Sequence, residues 1–185
     1  MNTGVRLLTG LLVAVCLGLV AGCAGRPAER APEHPSASVP LRTSVKVDEA
    51  KAREHAVAGH QAFAAQDFER AAAEYGAAID AGYDALIVHF RYGYSMHVTG
   101  HPAQALPHHI KAVEIPNPAL KIDAMYNAAC ACALLGRKDE ALSWLSKAID
   151  AGFKDLEQVL QDHDLDSLRG NAEFQRLVRS IPSGR

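Results

Sequence analysis

The sequence predicts an all-α fold: a stack of three similar helical hairpins closed by a C-terminal helical segment. Three observations carry this. First, Ala78-Ile79-Asp80-Ala81-Gly82 recurs unchanged as Ala148-Ile149-Asp150-Ala151-Gly152. A weaker relative, Ala112-Val113-Glu114-Ile115, lies 34 residues after the first copy and 36 before the last, which makes three units of about 34 residues. Second, each unit holds two helix-length patterns joined by a short break: Gln66-Asp67, Gly100-His101-Pro102 and Gly136-Arg137-Lys138-Asp139. Third, apolar residues continue after the last unit, as they must if the open end of a stacked array is to be covered.

Within each unit small residues fall where two helices have to approach closely. They are Gly59, Gly93 and Ala129 on the first helix, Ala71, Ala105 and Ala141 early on the second, and Ala78, Ala112 and Ala148 late on it. Larger side chains there would force the helix axes apart. The second helix of units one and three ends in Ala-Gly-aromatic, with Tyr83 and Phe153 as the aromatics. This reads as a helix stop, with glycine in the left-handed position and the ring folding back as a hydrophobic cap.

Small residues at these offsets, a glycine at the hairpin turn and an aromatic or leucine after the second alanine resemble the tetratricopeptide repeat. Unit three follows it most closely, in Tyr126-Asn127-Ala128-Ala129 and Leu135-Gly136-Arg137-Lys138-Asp139-Glu140-Ala141-Leu142. Gln66 stands where the turn glycine is usual, His109 sits where Tyr75 and Leu145 sit, and two extra residues surround Pro116-Asn117-Pro118. The resemblance implies a right-handed superhelical stack over 48–153, with units at about 52–85, 86–119 and 122–155, and a helical cap and tail over 154–185. Asp162-His163-Asp164-Leu165-Asp166-Ser167-Leu168-Arg169 is similar to a segment that closes such arrays in bacterial proteins. Phe153, Leu156, Val159, Leu160, Leu165, Leu168, Phe174, Leu177 and Val178 supply the apolar cover.

The N-terminus predicts export. Arg6 precedes an apolar run from Leu7 to Leu19, too short to span a bilayer permanently and followed by small residues. Leu19-Val20-Ala21-Gly22-Cys23 resembles the bacterial lipobox, which implies a signal peptide over 1–22 and a diacylated, palmitate-bearing Cys23 as the mature N-terminus. Two or more acyl chains bury enough methylenes, at roughly 0.8 kcal/mol each, for stable attachment. Ala24, where inner-membrane retention uses aspartate, implies the outer membrane of a Gram-negative cell, facing the periplasm. Residues 23–47, with Pro27, Pro32, Pro35 and Pro40 and few large apolar side chains, have the composition of an unstructured tether.

Composition narrows the chemistry. A formal charge of −2 and a pI near 6.5 supply no basic face, which argues against nucleic acid. No nucleophile elbow or phosphate-binding glycine loop is present, so no enzymatic activity is expected. Cys130 and Cys132 point about 200° apart on a helix and are expected to pack in the core. The nine histidines form no zinc-binding helical motif. Asp162, Asp164, Asp166 and Glu173 mimic calcium-loop spacing, but Ser167 replaces the turn glycine and Arg169 brings a positive charge, so helix capping is the expectation. No metal or cofactor is expected.

What remains is the concave groove that the family builds from its first helices. The resemblance places Arg53, His60 and Phe63 there from unit one, Phe90, Tyr94 and His97 from unit two, and Asp123 and Tyr126 from unit three. The function it implies is a membrane-anchored, non-catalytic adaptor that binds a peptide or helix of a cell-envelope protein. The alternative is a periplasmic carrier of a small ligand or metal that uses the groove histidines.

Overall fold

The structure, a computed structural model, describes residues 48–182. The expected signal peptide, lipidated Cys23 and tether lie outside the described residues, as do residues 183–185. The described residues form helices and turns with no strand among them. Three antiparallel hairpins follow one another: α1 (Glu49–Ala64) with α2 (Phe68–Asp80), α3 (Leu86–Val98) with α4 (Pro102–Ala112), and α5 (Pro118–Leu134) with α6 (Lys138–Asp150). Then come α7 (Leu156–Gln161), a 3-10 helix (His163–Leu168) and α8 (Ala172–Ser180). Each second helix packs on the next hairpin, α2 on α3 and α4 on α5, and the first helices α1, α3 and α5 adjoin one another. None of the described helices is long and apolar enough to cross a membrane.

Local chemistry sets the helix ends. Asp48, Asp67, Asn117, Asp155 and Asn171 cap α1, α2, α5, α7 and α8 by accepting from backbone N–H groups that the first turn leaves free. The ends of α1, α2, α3, α5 and α6 share one device. A left-handed residue (Gln66, Gly82, Gly100, Gly136 or Gly152) donates its N–H to the carbonyl three residues back, and the following residue donates to the carbonyl five back. Glycine adopts this conformation without a steric penalty, whereas Gln66, at φ 60°, is the non-glycine among them. α4 ends differently. Ile115 N–H bonds to the Ala112 carbonyl, Pro116 follows, and Asn117 with Pro118 at the first helical position starts α5. The two extra residues thus go into lengthening α5 to 17 residues.

Within a hairpin the helices meet through one small and one large residue. Tyr75, His109 and Leu145 are fully buried at equivalent positions of α2, α4 and α6. A methyl group on Gly59 would stand 2.6 Å from the Tyr75 ring, and one on Gly93 would stand 3.0 Å from His109. The core thickens toward the C-terminus, where α5 and α6 share one cluster with Val159, Leu165, Leu168, Phe174 and Ile181.

α5 is enclosed by α4, α6 and the 3-10 helix, so residues Ala128 through Ala133 are all buried. Cys130 and Cys132 are therefore both core residues although they point to opposite sides of the helix, and both thiols are free. In the cap one expectation fails. Leu160 is 51% exposed, because Val159 takes the inward position of the short α7 and the next residue turns outward. Ile181 takes a buried place instead.

Candidate functional site

Phe63, Phe90, Tyr94, Asp123 and Tyr126 line one cleft of about 570 Å³, together with Ala64, Gln66, Phe68, Asn127 and Gln158. The first helices of all three hairpins reach it, and α7 contributes Gln158 from the far side. Phe63, Phe68 and Tyr94 form a triangle of rings with centroids 5.6–5.7 Å apart and edges turned toward faces, a favoured aromatic geometry. The Arg91 guanidinium lies 5.5 Å from the Phe63 centroid and steadies that ring.

Deeper in, Phe90 and Tyr126 are nearly inaccessible. Tyr126, 2% exposed, stacks on Phe153 with centroids 4.6 Å apart and donates its hydroxyl hydrogen to Asp162 Oδ2 at 2.7 Å. Burial, with the Cys130 thiol and the Asp162 carboxylate close by, pushes that hydroxyl far above the ordinary tyrosine range, so it remains a donor. Tyr126 is thus floor and support, and the free ring surface of the cleft belongs to Phe63, Phe68 and Tyr94. Gln66, Asp123, Asn127 and Gln158 make a polar rim. The apolar wall can take up an apolar side chain. The amides of the rim can each donate and accept, which suits a ligand with alternating donors and acceptors. Among the described residues, no serine, cysteine or histidine lines the cleft.

The other three residues expected in the groove lie elsewhere. Arg53 is on the surface, paired with Glu49 at 3.1 Å and set beside the loop of Tyr83 and Asp84. His60 stands edge-on to Tyr75, and its Nδ1 lies 2.7 Å from the Tyr75 hydroxyl and 2.9 Å from Arg91 Nη1, which can only donate. Burial and the Arg91 charge lower its pKa, which favours the neutral ring needed to accept from the guanidinium. His97 sits beneath the C-terminal segment, with Nε2 donating to Asp164 Oδ2 at 2.8 Å and Nδ1 facing His109 Nε2 at 3.3 Å.

Three further histidines, His55, His89 and His108, pair off in the same way. His89 meets His108 at 2.7 Å and Asp84 at 2.7 Å, and His55 meets Glu74 at 2.8 Å. They serve several separate contacts between neighbouring helices and do not converge on the cleft.

Four lining residues, Gln66, Phe68, Asn127 and Gln158, were not foreseen. Phe68 opens α2, a second helix, yet its place just after the Asp67 cap brings its ring to the inner face. Gln158 arrives with the returning C-terminal segment, and nothing local in the sequence announces that contact.

No protein-family model matches the chain. A chloroplastic protein of Arabidopsis thaliana is 33% identical over 66 residues, which cover 36% of this chain and only 20% of that protein. The structure of YrrB, a TPR protein with an unusual peptide-binding site, matches with a TM-score of 0.60 at 17% identity, over 72% of this chain and 69% of that one. The N-terminal domain of stress-induced protein-1 from C. elegans gives a TM-score of 0.49 at 18% identity, over 72% of this chain and 95% of that one. The three hairpins, their small-residue crossings, the closing helical segment and the superposition on YrrB together establish that this chain has the tetratricopeptide-repeat fold.

Proposed function

We propose that the chain is a non-catalytic adaptor that holds a peptide or helical segment of another protein in the cleft between Phe63, Phe68 and Tyr94. The observation that carries this reading is the pairing of a half-buried aromatic triangle with a rim of three side-chain amides and Asp123. A peptide offers that surface an apolar side chain for the rings and a row of N–H and C=O groups for the amides. A volume of about 570 Å³ suits a few residues of such a segment. YrrB, alike in fold, is a TPR protein with a peptide-binding site, which supports the same use here. Diacylation of Cys23 would hold the adaptor at a membrane, the outer one where the cell has two, and the partner would then be a cell-envelope protein met at high local concentration.

Two measurements test the two halves separately. A photo-crosslinking residue at Ala64, exposed on the cleft rim, should capture a protein segment from intact cells, and the same residue at Lys138 on α6 should not. Capture from Lys138 alone would place the partner on the other face. Metabolic labelling with a fatty-acid analogue should mark the wild type and not Cys23→Ser. Equal labelling of both would remove the anchor and leave the cleft reading standing.

A further inference from the structure

The C-terminal segment does more than cover the stack, because it brings two carboxylates against a buried thiol. One ligand-type atom from each of Cys130, Asp162 and Asp164 lies within 4.8 Å of the other two. The Cys130 Sγ to Asp162 Oδ2 distance is 3.4 Å. A tetrahedral zinc ion with Zn–S of about 2.3 Å and Zn–O of about 2.1 Å sets sulfur and oxygen about 3.6 Å apart, so that edge already has the required length.

Both carboxylates are held in place by hydrogen bonds. The Tyr126 hydroxyl donates to Asp162 Oδ2 at 2.7 Å, the Asp164 N–H to Asp162 Oδ1 at 2.9 Å, and His97 Nε2 to Asp164 Oδ2 at 2.8 Å. Hydrogen-bonded partners of this kind orient metal-ligating groups. No lysine or arginine is ion-paired with Asp162 or Asp164 among the described residues, and Arg169 is committed to the Asp166 carboxylate and the Asp162 backbone carbonyl. The site therefore gathers two carboxylates and a polarisable sulfur in a half-buried place, with neither carboxylate ion-paired to a lysine or arginine among the described residues. The spacing that suggested calcium binding in the sequence runs along the chain through Asp166 and Glu173. The set that converges in space instead recruits Cys130 from α5.

We propose that Cys130, Asp162 and Asp164 form a binding site for a zinc-type divalent cation, which clamps the C-terminal segment onto α5. The Cys130 thiol would lose its proton to solvent as the Zn–S bond forms, and the two carboxylates would each supply an oxygen. The fourth position would be left to water. A thiolate ligand selects zinc over calcium and magnesium, which take all-oxygen sets. The proposal is independent of what the cleft binds.

The test uses the full chain, free of any affinity tag and stripped with a chelator, then equilibrated with zinc or cobalt(II). Zinc should be retained at one ion per chain through gel filtration and should raise the melting temperature. The cobalt form should show thiolate-to-cobalt absorption in the near ultraviolet, and Cys130→Ala should abolish it, which separates this thiol from Cys16, Cys23 and Cys132. Asp164→Asn, which keeps the side-chain volume at a partly exposed position, should lower zinc affinity at least about tenfold, and Tyr126→Phe should lower it on the order of tenfold through loss of support to Asp162. Absence of zinc from the wild type would overturn the proposal. So would zinc binding left unchanged by both Asp164→Asn and Cys130→Ala, since the ion would then sit elsewhere.

Discussion

His97 of α3 and Asp164 of the 3-10 helix, 67 positions apart in the chain, meet through a 2.8 Å hydrogen bond across the inner side of the stack. The His97 side chain is 11% exposed and Asp164 34%, so the bond is partly shielded from water. The last segment is thereby tied to the second hairpin as well as the third, and the cap works as a strap. Removing one partner, as in His97→Ala or Asp164→Ala, should cost about 1–2 kcal/mol of stability. The double variant should cost less than the sum of the two. Urea denaturation in the presence of a chelator measures this without interference from metal, and hydrogen exchange should quicken over residues 162–168 in each variant. Additive losses would show that the two side chains are not coupled.

Gly59 is needed for its lack of a side chain. The methyl of Gly59→Ala would lie 2.6 and 2.7 Å from two carbons of the Tyr75 ring. Tyr75 cannot step aside freely, being fully buried with its hydroxyl tied to His60. The expected loss is about 1–3 kcal/mol, typical of overpacking, read as a lower denaturation midpoint at unchanged slope. Gly100→Ala makes a useful contrast. A methyl there meets nothing within 4 Å, so any loss comes from the left-handed backbone at φ 83° and should be about 1 kcal/mol.

Two histidines make the stack acid-sensitive. Burial, and then the charges of His89 and Lys111, hold His108 at about 4. Burial, and then His97 and His108, hold His109 at about 3. Both values lie below the ordinary 6.5, so the unfolded chain takes up protons first as the pH falls. The stability they contribute is complete above pH 6.5 and drains away from there toward about 4 for His108 and about 3 for His109. His109 also buries an Nδ1 with no hydrogen-bond partner among the described residues. Unit three places Leu145 at the same position, so His109→Leu, which also removes the contact to His97, should flatten the pH dependence of stability below 6.5. Denaturation midpoints between pH 4 and 8 decide it, and a variant with an unchanged pH slope would acquit His109.

What could be read in advance from the sequence was local or periodic. The Ala-Gly-aromatic stops and the small-residue crossings involve residues within a few positions of each other or one repeat apart, so the pattern carries them. The resemblance to the tetratricopeptide repeat put Arg53, His60, Phe63, Phe90, Tyr94, His97, Asp123 and Tyr126 on one inner face, yet their surroundings differ for reasons that no repeat records. Arg53 stands near the N-terminal end of α1, beside the α2–α3 loop and away from the cleft. His60 is engaged by Arg91 from the next hairpin. His97 and Tyr126 occupy inner positions that the returning C-terminal segment covers. That segment was legible as a cap for the open end, because an apolar array needs one. Its reach across the inner face to α3 rests on Asp162 and Asp164 finding partners 36 and 67 residues away.

The cleft itself gives the prediction closest to function. Phe68 and Tyr94 are half-buried and offer ring surface to a ligand, whereas Tyr126 is closed in by Phe153 and Asp162. Substitution at Tyr126 would therefore mix folding with binding, and the informative variants are Phe68→Ala and Tyr94→Ala. Each should weaken capture of the partner segment by roughly 1–3 kcal/mol, as aromatic anchors in concave sites do. Lys138→Ala, exposed at the start of α6, should change it by less than about 0.5 kcal/mol. Fluorescence anisotropy with the segment recovered by crosslinking at Ala64 gives the affinities, and circular dichroism establishes that each variant is folded. Tyr94→Phe keeps the ring and should bind within a few-fold of wild type if flat contact area is what the cleft supplies. If Tyr94→Phe instead loses as much as Tyr94→Ala, the hydroxyl is the recognition group and the cleft reads a polar feature of its ligand. Undiminished binding by folded Phe68→Ala and Tyr94→Ala together would move the interaction off this cleft altogether.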